Sequence, residues 1–246
     1  MSWSSRIGIW RSWLIYYAKP FNRRKLNKFY RQFLQPGDLA FDIGAHLGNR
    51  SQAWLDLGVQ VIAVEPQPVC IQYLKNRFSR HPGFRLLPVA IGENEDELEF
   101  KISSLHPTIS TARGEDWQNG INRYGTMEAN WDQSIRVKQY SLNQLISWYG
   151  IPRFCKIDTE GFEWEVIQGL HQAIPQLSIE FLAFDKQRVI WCIQRLMSLG
   201  EYSLNFSFGE TQQWFWKDWQ NAQSVILFIE QGQYPRSFGD IYFKLN

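Results

Sequence analysis

From Asp38 onward, short runs of β-branched and other apolar residues alternate with stretches of helical periodicity. This alternation is typical of a mainly parallel sheet with helices on both faces, because parallel neighbours need a crossover connection. The first strand, helix and strand are predicted over residues 39–43, 49–56 and 59–64. With 246 residues, 44% of them hydrophobic, the chain can bury one large core. We therefore expect one α/β domain that follows an N-terminal addition.

The N-terminal addition covers residues 1–36, and the α/β domain covers residues 37–246. The first 37 residues contain eight Lys and Arg and no acidic residue, and their aromatic residues recur at helical spacing. This pattern predicts two short amphipathic helices, the second over residues 26–34. Two roles stay open for them: contact with an anionic membrane surface or a partner protein, or a cap whose aromatic side packs on the α/β domain.

Several classes of protein are excluded or disfavoured by composition. No run of about 18 uncharged apolar residues is present, and the N-terminal stretch lacks the cleavage pattern of a signal peptide. The three cysteines Cys70, Cys155 and Cys192 match neither a metal site nor a disulfide framework, so we expect a cytoplasmic protein. Beyond the basic N-terminal addition, acidic residues outnumber basic ones, so no nucleic-acid partner is expected.

The second half of the α/β domain continues the alternation and carries one insertion. Residues 103–134 are polar and contain glycine, and we expect them to form a mobile lid between strands at 96–102 and 135–140. Further strands are predicted at residues 84–90, 153–158, 177–182, 202–208, 212–216 and 240–245, the 202–208 and 212–216 pair being antiparallel.

The turn after the first strand indicates a nucleoside cofactor. Gly44 and Gly48 let the backbone approach a ligand, and the helix that begins directly after them presents free N–H groups. Glu65 ends the second strand, where an acidic side chain can accept hydrogen bonds from both ribose hydroxyls. In folds that bind dinucleotides, the middle glycine of this turn admits a pyrophosphate, but His46 stands there. Asp42 suits a cationic amino group, which favours S-adenosylmethionine over a nicotinamide dinucleotide.

Four motifs in order resemble the FkbM-type S-adenosylmethionine-dependent methyltransferases. They are Asp-Ile-Gly-Ala-His-Leu-Gly at residues 42–48, Val-Glu-Pro at 64–66, Val-Ala-Ile-Gly-Glu at 89–93 and Lys-Ile-Asp-Thr-Glu-Gly-Phe-Glu at 156–163. The resemblance implies the Rossmann-like class I methyltransferase sheet, mainly parallel with an antiparallel last strand and helices on both faces. It also implies O-methylation of a glycan or another small molecule. The family usually has Asn where this chain has His46. The residues expected to contact the cofactor are Asp42, Gly44, Ala45, His46, Gly48, Glu65, Pro66, Ala90 and Asp158.

Three residues are candidates for catalysis. Asp158 follows a strand end near the expected methyl group and is predicted to be the base for a hydroxyl acceptor or to hold the cofactor. Glu160 is either a second catalytic carboxylate or a cap of the following helix. His106, in the insertion, is a candidate base or substrate contact, although surface histidines commonly have neither role. Glu180 could complete a carboxylate cluster for a divalent ion, but strand-end carboxylates also serve as plain acceptors, and no metal ion is assigned.

Three functions remain from the sequence. The leading hypothesis is a methyltransferase that acts on a hydroxyl of a small molecule or glycan. The alternatives are a nicotinamide-dependent oxidoreductase and a non-catalytic nucleoside-binding module.

Overall fold

The computed structural model describes residues 22–104, 110–114, 117, 119 and 131–246. Its ten strands are β1 (Leu39–Ile43), β2 (Gln60–Val64), β3 (Phe84–Leu87), β4 (Ala90–Gly92), β5 (Asp96–Ile102), β6 (Gln133–Ser141), β7 (Phe154–Ile157), β8 (Gln176–Leu182), β9 (Tyr202–Phe208) and β10 (Phe238–Leu245). The helices with α geometry that it describes in full are α1 (Asn22–Tyr30), α2 (Asn49–Asp56), α3 (Pro68–Phe78), α4 (Leu142–Tyr149), α5 (Glu163–Gln168), α6 (Lys186–Leu199) and α7 (Ala222–Gln231).

Seven strands form one central sheet in the order β3-β2-β1-β7-β8-β10-β9. All neighbouring strands are parallel except β10, which runs antiparallel to both β8 and β9. The Rossmann-like class I methyltransferase sheet with its antiparallel last strand is thereby confirmed. The carboxyl ends of β1, β2, β7 and β8 meet at one edge, which is where open α/β sheets bind ligands.

Helices cover both faces of this sheet, which explains why its central strands read as continuous apolar runs. All four residues of β7 are buried, as are four of the five in β1. Apolar side chains from α1, α2 and α3 pack on one face, and those from α4 to α7 pack on the other. The core is therefore divided by the sheet into two layers.

A second, three-stranded sheet has the order β4-β6-β5 and corrects one prediction. The strand predicted over residues 84–90 is two strands, because β3 ends at Leu87 and β4 begins at Ala90 and pairs with β6. Pro88 lies between them and has no N–H to continue the hydrogen bonds of the central sheet. The chain therefore leaves one sheet and joins the other at this residue.

The predicted strand over residues 212–216 is wrong. This segment is irregular and is tied to β9 by separate bonds: the N–H of Phe215 donates to the carbonyl of Phe206, and the N–H of Trp216 donates to Oδ1 of Asn205. Phe215 and Trp216 are adjacent, yet both rings contact Phe228 of α7. Alternate residues of a strand point to opposite faces, so two neighbours on one ring are incompatible with the predicted alternation.

An aromatic cluster joins α1 and the turn after it to the sheet. Phe29, Tyr30 and Phe33 contact the rings of Phe154 in β7 and Tyr242 in β10. The second predicted helix, over residues 26–34, corresponds to α1, which begins at Asn22 and ends at Tyr30. The first predicted helix of the N-terminal addition lies outside the described residues. Over residues 22–34, the aromatic side of the addition thus packs on the α/β domain, while Arg24, Lys25 and Lys28 are exposed.

Among the helices that the structure describes, none combines the length and the apolar character that crossing a membrane requires.

The aromatic cluster makes a stability prediction. Phe33 is buried and stacks on Tyr242 with the ring planes 5° apart, so Phe33→Ala should lower the free energy of unfolding by about 3–5 kcal/mol. Urea unfolding followed by tryptophan fluorescence measures the loss. Phe238→Ala is the matched control, since 45% of Phe238 is exposed. Equal effects of the two substitutions would contradict a structural role for the cluster.

Candidate active site

Four acidic residues gather where parallel strands of the central sheet end. Asp42 lies in β1, Glu65 and Asp158 directly follow β2 and β7, and Glu180 lies in the second half of β8. Beside them is a cavity of about 820 Å³ that is open to solvent. This volume includes solvent space at the mouth of the cavity.

Most of the predicted site residues line this cavity. They are Asp42, Gly44, Ala45, His46, Glu65, Pro66, Ala90, Asp158 and Glu160. Gly48 is not among the lining residues, and His106 lies outside the described residues. The structure therefore brings together the residues of all four sequence motifs.

The two glycines of the turn after β1 are required by the fold itself. Gly44 has a φ of +81°, and a Cβ placed on it would overlap the carbonyl oxygen of Asp158. Gly48 has a φ of +73°, and a Cβ there would lie 2.8 Å from side-chain carbons of Leu74 and Phe78. Both positions demand a residue without a side chain before any ligand binds. The glycines alone are consequently weak evidence for a cofactor.

His46 contacts Glu65 through its backbone. Its φ is +49°, and its N–H donates to Oε2 of Glu65 at 2.7 Å. Asn and His are both enriched in this left-handed conformation, so His46 can replace the usual Asn of the family without loss of the backbone geometry. Burial lowers the pKa of His46 to about 4, and the imidazole is neutral at pH 7.

Glu65 is held by two backbone amides and is 2% exposed. Besides the bond from His46, its Oε1 accepts the N–H of Gln67 at 2.8 Å. Burial raises the pKa of Glu65 to about 7, although both amides act in the opposite direction. Each carboxylate oxygen retains a lone pair, so Glu65 can still accept two further hydrogen bonds.

Asp42 fixes the start of α2. Its Oδ2 accepts the N–H of Ser51 at 3.1 Å and the hydroxyl of Ser51 at 2.5 Å. Burial raises the pKa of Asp42, which the bond from Ser51 partly offsets. Asp42 thus has a structural role in addition to lining the cavity.

Lys156 neutralises Asp158, which follows β7, and Asp240 of β10. Its ammonium is almost fully buried and lies 2.9 Å from both Oδ2 of Asp158 and Oδ1 of Asp240. Burial alone would raise the pKa of Asp158, but Lys156 and Arg50 outweigh it and hold this pKa below its usual range. Asp158 is therefore an anion at pH 7 and a weak base.

The pKa of Glu160 shifts in the opposite direction to that of Asp158. The φ of Glu160 is +52°, an uncommon value for a residue with a side chain, and its carbonyl accepts the hydroxyl of Thr111 at 2.7 Å. Burial raises the pKa of Glu160 well above its usual range, and Asp158 and Glu163 raise it further. A carboxyl group with a raised pKa is a stronger base once ionised.

The loop after β7 is held by Glu163, and among the described residues no side chain forms a capping bond at the start of α5. The Oε1 atom of Glu163 accepts the N–H of Thr159 at 2.7 Å and its hydroxyl at 2.9 Å. The predicted alternative of Glu160 as a helix cap thus finds no support in the bonds around this loop. The side chain of Glu160 is left to the cavity that it lines.

Three carboxylates are close enough to hold a divalent ion. One oxygen each of Asp158, Glu160 and Glu180 lies within 4.8 Å of the other two. Burial raises the pKa of Glu180, as do Glu160 and Asp158. This cluster has the oxygen ligands that Mg²⁺ and Ca²⁺ prefer.

The described part of the 103–134 insertion packs on the loop after β7. Thr111 pairs with β5 through Lys101 and bonds to Glu160, and Trp117 packs against Gly161. Arg113 forms an ion pair with Asp185. The insertion therefore contacts the backbone of the candidate base. Its motion as a lid stays a prediction.

Four residues of the site were not singled out from the sequence: Asn49, Arg50, Lys156 and Glu163. Lys156 and Glu163 belong to the recognised motif at 156–163, but their partners could not be read from it. Arg50 offered one signal, because a basic residue in the first turn of a helix opposes the helix dipole. Such local conflicts often mark functional positions.

Comparison with known proteins gives a family match and weaker similarities. A model of the methyltransferase FkbM domain matches residues 42–234. The hexuronic acid methyltransferase AglP of Haloferax volcanii is 25% identical over 143 residues, which are 57% of this chain and 53% of AglP. The match thus spans about half the length of this curated relative.

Solved structures show similarity over most of the chain. A precorrin-6y C5,15-methyltransferase from Geobacter metallireducens is 12% identical with a TM-score of 0.46, covering 90% of this chain and 87% of that one. A TehB-like methyltransferase from Corynebacterium glutamicum is 11% identical with a TM-score of 0.44, covering 96% and 94%.

The contact of Gly44 with Asp158 predicts a stability loss that is independent of any ligand. Gly44→Ala should lower the free energy of unfolding by about 1–3 kcal/mol more than Gly150→Ala. Both glycines have a positive φ, but only a Cβ at residue 44 meets another atom. Urea unfolding without cofactor gives both values, and equal losses would refute the steric explanation.

The raised pKa of Glu65 predicts pH-dependent binding of a nucleoside. Because the ionised carboxylate is the better acceptor, affinity for S-adenosylhomocysteine should rise roughly tenfold from pH 6 to pH 8. Glu65→Gln should weaken binding by about 1–3 kcal/mol at pH 8 and flatten this slope. Calorimetric titration provides the affinities. The exposed Glu201→Gln is the control and should keep the wild-type affinity and pH slope. A wild-type slope in the Glu65 variant would contradict the assignment.

Proposed function

Because the chain belongs to the FkbM methyltransferase family, and is thus an S-adenosylmethionine-dependent methyltransferase, we propose that it methylates a hydroxyl oxygen of a glycan or another small molecule. The observation that carries this proposal is Glu160, a carboxyl group with a raised pKa in the wall of the cavity. Methylation of a hydroxyl needs a proton acceptor, and Glu160 is suited to that role. AglP, a hexuronic acid methyltransferase, supports a glycan as acceptor.

The cavity fits S-adenosylmethionine in charge and in hydrogen-bonding groups. Four carboxylates line it, those of Asp42, Glu65, Asp158 and Glu160, against the cations of Arg50 and Lys156. An excess of carboxyl groups over cations favours a ligand with a sulfonium and an ammonium group. We assign Glu65 to the ribose hydroxyls and Asp158 to the ammonium group. Gly44, Ala45, His46, Pro66 and Ala90 form the apolar and backbone wall around them.

Two adjacent carboxylates thus receive different tasks from their surroundings. When bound, S-adenosylmethionine supplies a methyl group on a sulfonium whose thioether leaves without needing an acid. Asp158, ionised by its ion pair with Lys156, holds positive charge in place. Glu160 accepts the proton that the acceptor hydroxyl loses. The bond from Thr111 to the carbonyl of Glu160 positions this base and links it to the insertion.

A divalent ion offers a second way to activate the hydroxyl. Asp158, Glu160 and Glu180 would supply its oxygen ligands, and a bound ion lowers the pKa of an oxygen that it contacts. Glu160 would then be a ligand and not a base. Addition of a chelator separates these roles.

The two other functions considered from the sequence have less support. Membership of the family disfavours a nicotinamide-dependent oxidoreductase. A non-catalytic nucleoside-binding module is disfavoured by Glu160, since binding a nucleoside does not require a base in the wall of the cavity.

Substitutions at the two carboxylates test the division of tasks. Glu160→Gln should lower turnover with a hydroxyl acceptor by about 10²-fold or more and leave the affinity for S-adenosylhomocysteine within a few-fold of wild type. Asp158→Asn should instead weaken that affinity, because the ammonium group loses its charge-assisted partner. Wild-type turnover should rise with pH, because only ionised Glu160 is active. The rise should occur above the pH range in which a Glu side chain usually ionises, because the pKa of Glu160 is raised.

The assay follows transfer of a labelled methyl group to neutral and acidic sugars, with and without chelator. Loss of activity on addition of the chelator would show that a metal ion, and not Glu160 as a base, activates the hydroxyl. A product that alkali hydrolyses would be a methyl ester, formed on a carboxylate acceptor that needs no base. This product, together with full activity of the Glu160→Gln variant, would refute the proposal of a hydroxyl acceptor.

A further inference from the structure

The first two side chains of α2 face the cavity and carry hydrogen-bond donors that lack acceptors. Asn49 and Arg50 both line the cavity, and Arg50 is only 8% exposed. Within the described part of the chain, Nε of Arg50 and Nδ2 of Asn49 are buried and have no hydrogen-bond partner. A buried donor without an acceptor destabilises the protein, so two such donors at one place indicate a ligand that accepts from both.

The bonds that these residues do make fix their orientation. Oδ1 of Asn49 accepts the backbone N–H of Arg50 at 2.9 Å and Nη1 of Arg50 at 3.3 Å. Both bonds use the amide oxygen of Asn49, so the NH₂ group of Asn49 points away from Arg50. The two side chains therefore form one unit, which we call the Asn49–Arg50 pair.

The ion pair of Arg50 is long and uses only Nη2 of its guanidinium. Its ion pair is a contact of 3.3 Å between Nη2 and Glu210, whose side chain is 35% exposed. Lys156, the other cation of the cavity wall, has two carboxylates at 2.9 Å. Arg50 also opposes the dipole of α2, which favours an anion at this end of the helix. An incoming anion would satisfy both the guanidinium and the helix end.

We infer that the Asn49–Arg50 pair binds a carboxylate, and that this carboxylate belongs to the amino-acid end of S-adenosylmethionine. A carboxylate has two acceptor oxygens in one plane, which matches two neighbouring donors and the fork of a guanidinium. The pair directly follows the turn of Gly44 and His46, in the same strand-turn-helix unit as the residues assigned to the cofactor. In an α-amino acid the ammonium and carboxylate groups share one carbon, so a partner for each is needed within one small region. Asp158 and Arg50 line the same cavity and provide them.

Two ligands that differ in the amino-acid end test this inference. S-adenosylhomocysteine carries the carboxylate, whereas 5′-methylthioadenosine keeps the nucleoside and the sulfur but lacks the whole amino-acid end. Arg50→Gln should weaken binding of S-adenosylhomocysteine by about 10- to 100-fold and change binding of 5′-methylthioadenosine by less than threefold. Asn49→Ala should have a smaller effect in the same direction. Calorimetric titration of the free enzyme supplies every value, and thermal unfolding checks that each variant is folded.

Further variants separate charge, geometry and structure. Arg50→Lys keeps the charge but loses the fork, and it should bind S-adenosylhomocysteine more weakly than wild type and more tightly than Arg50→Gln. Glu210→Gln removes the competing negative charge, and its affinity for S-adenosylhomocysteine should equal or exceed that of wild type. The exposed Arg80→Gln is the matched control and should bind both ligands as wild type does.

Two results would overturn the inference. Equal losses for the two ligands in Arg50→Gln would show that Arg50 merely supports the fold of the nucleoside site. Unchanged affinity for S-adenosylhomocysteine, with a raised KM for a carboxylated acceptor only, would assign the pair to the acceptor. The titrations contain no acceptor, so failure of the proposed hydroxyl acceptor would not affect them.

Discussion

Gly44 packs so closely on the carbonyl of Asp158 that no side chain fits between the turn after β1 and the end of β7. The contact fixes the distance between two neighbouring parallel strands at the edge where ligands bind. The start of α2 and the loop with Asp158 and Glu160 are placed by it. The bond from His46 to Glu65 adds the end of β2 to the same rigid unit. One steric constraint thereby positions the groups assigned to the ribose, the ammonium group and the proton.

The pKa values of the acids in the site depend on their burial and on the presence of only two cations, Arg50 and Lys156, among the described residues of the cavity wall. Burial raises the pKa of Asp42, Glu65 and Glu160, whereas Asp158 stays ionised because Lys156 contacts it. A bound cation would lower the raised pKa values, and by linkage the protons on these groups compete with the cation. The site is thus arranged for a positively charged ligand. The Asn49–Arg50 pair is the exception, and it fits the one anionic group of an amino acid.

The sequence predicted the order and type of most elements because their signals are local. The motif at residues 42–48, with Gly44 and Gly48, needs only neighbouring residues to specify a strand, a turn and a helix. Errors arose where an interaction with another segment decided the outcome. Pro88 divides a continuous apolar run between two sheets, and Phe215 and Trp216 turn to the same ring of α7. Periodicity cannot report either event, because it does not identify the packing partner.

By itself, the sequence determined the fold class, the cofactor and the acidic residues at the strand ends, because each depends on short motifs with a fixed spacing. Only the tertiary structure decided in which direction the pKa of each of these acids shifts. Lys156 meets Asp240, and Arg50 meets Glu210, across long stretches of chain that the sheet order brings together. The pKa of a carboxyl group depends on its burial and on such partners. For that reason Asp158 and Glu160, two residues apart in the chain, acquire opposite shifts that no spacing in the sequence reveals.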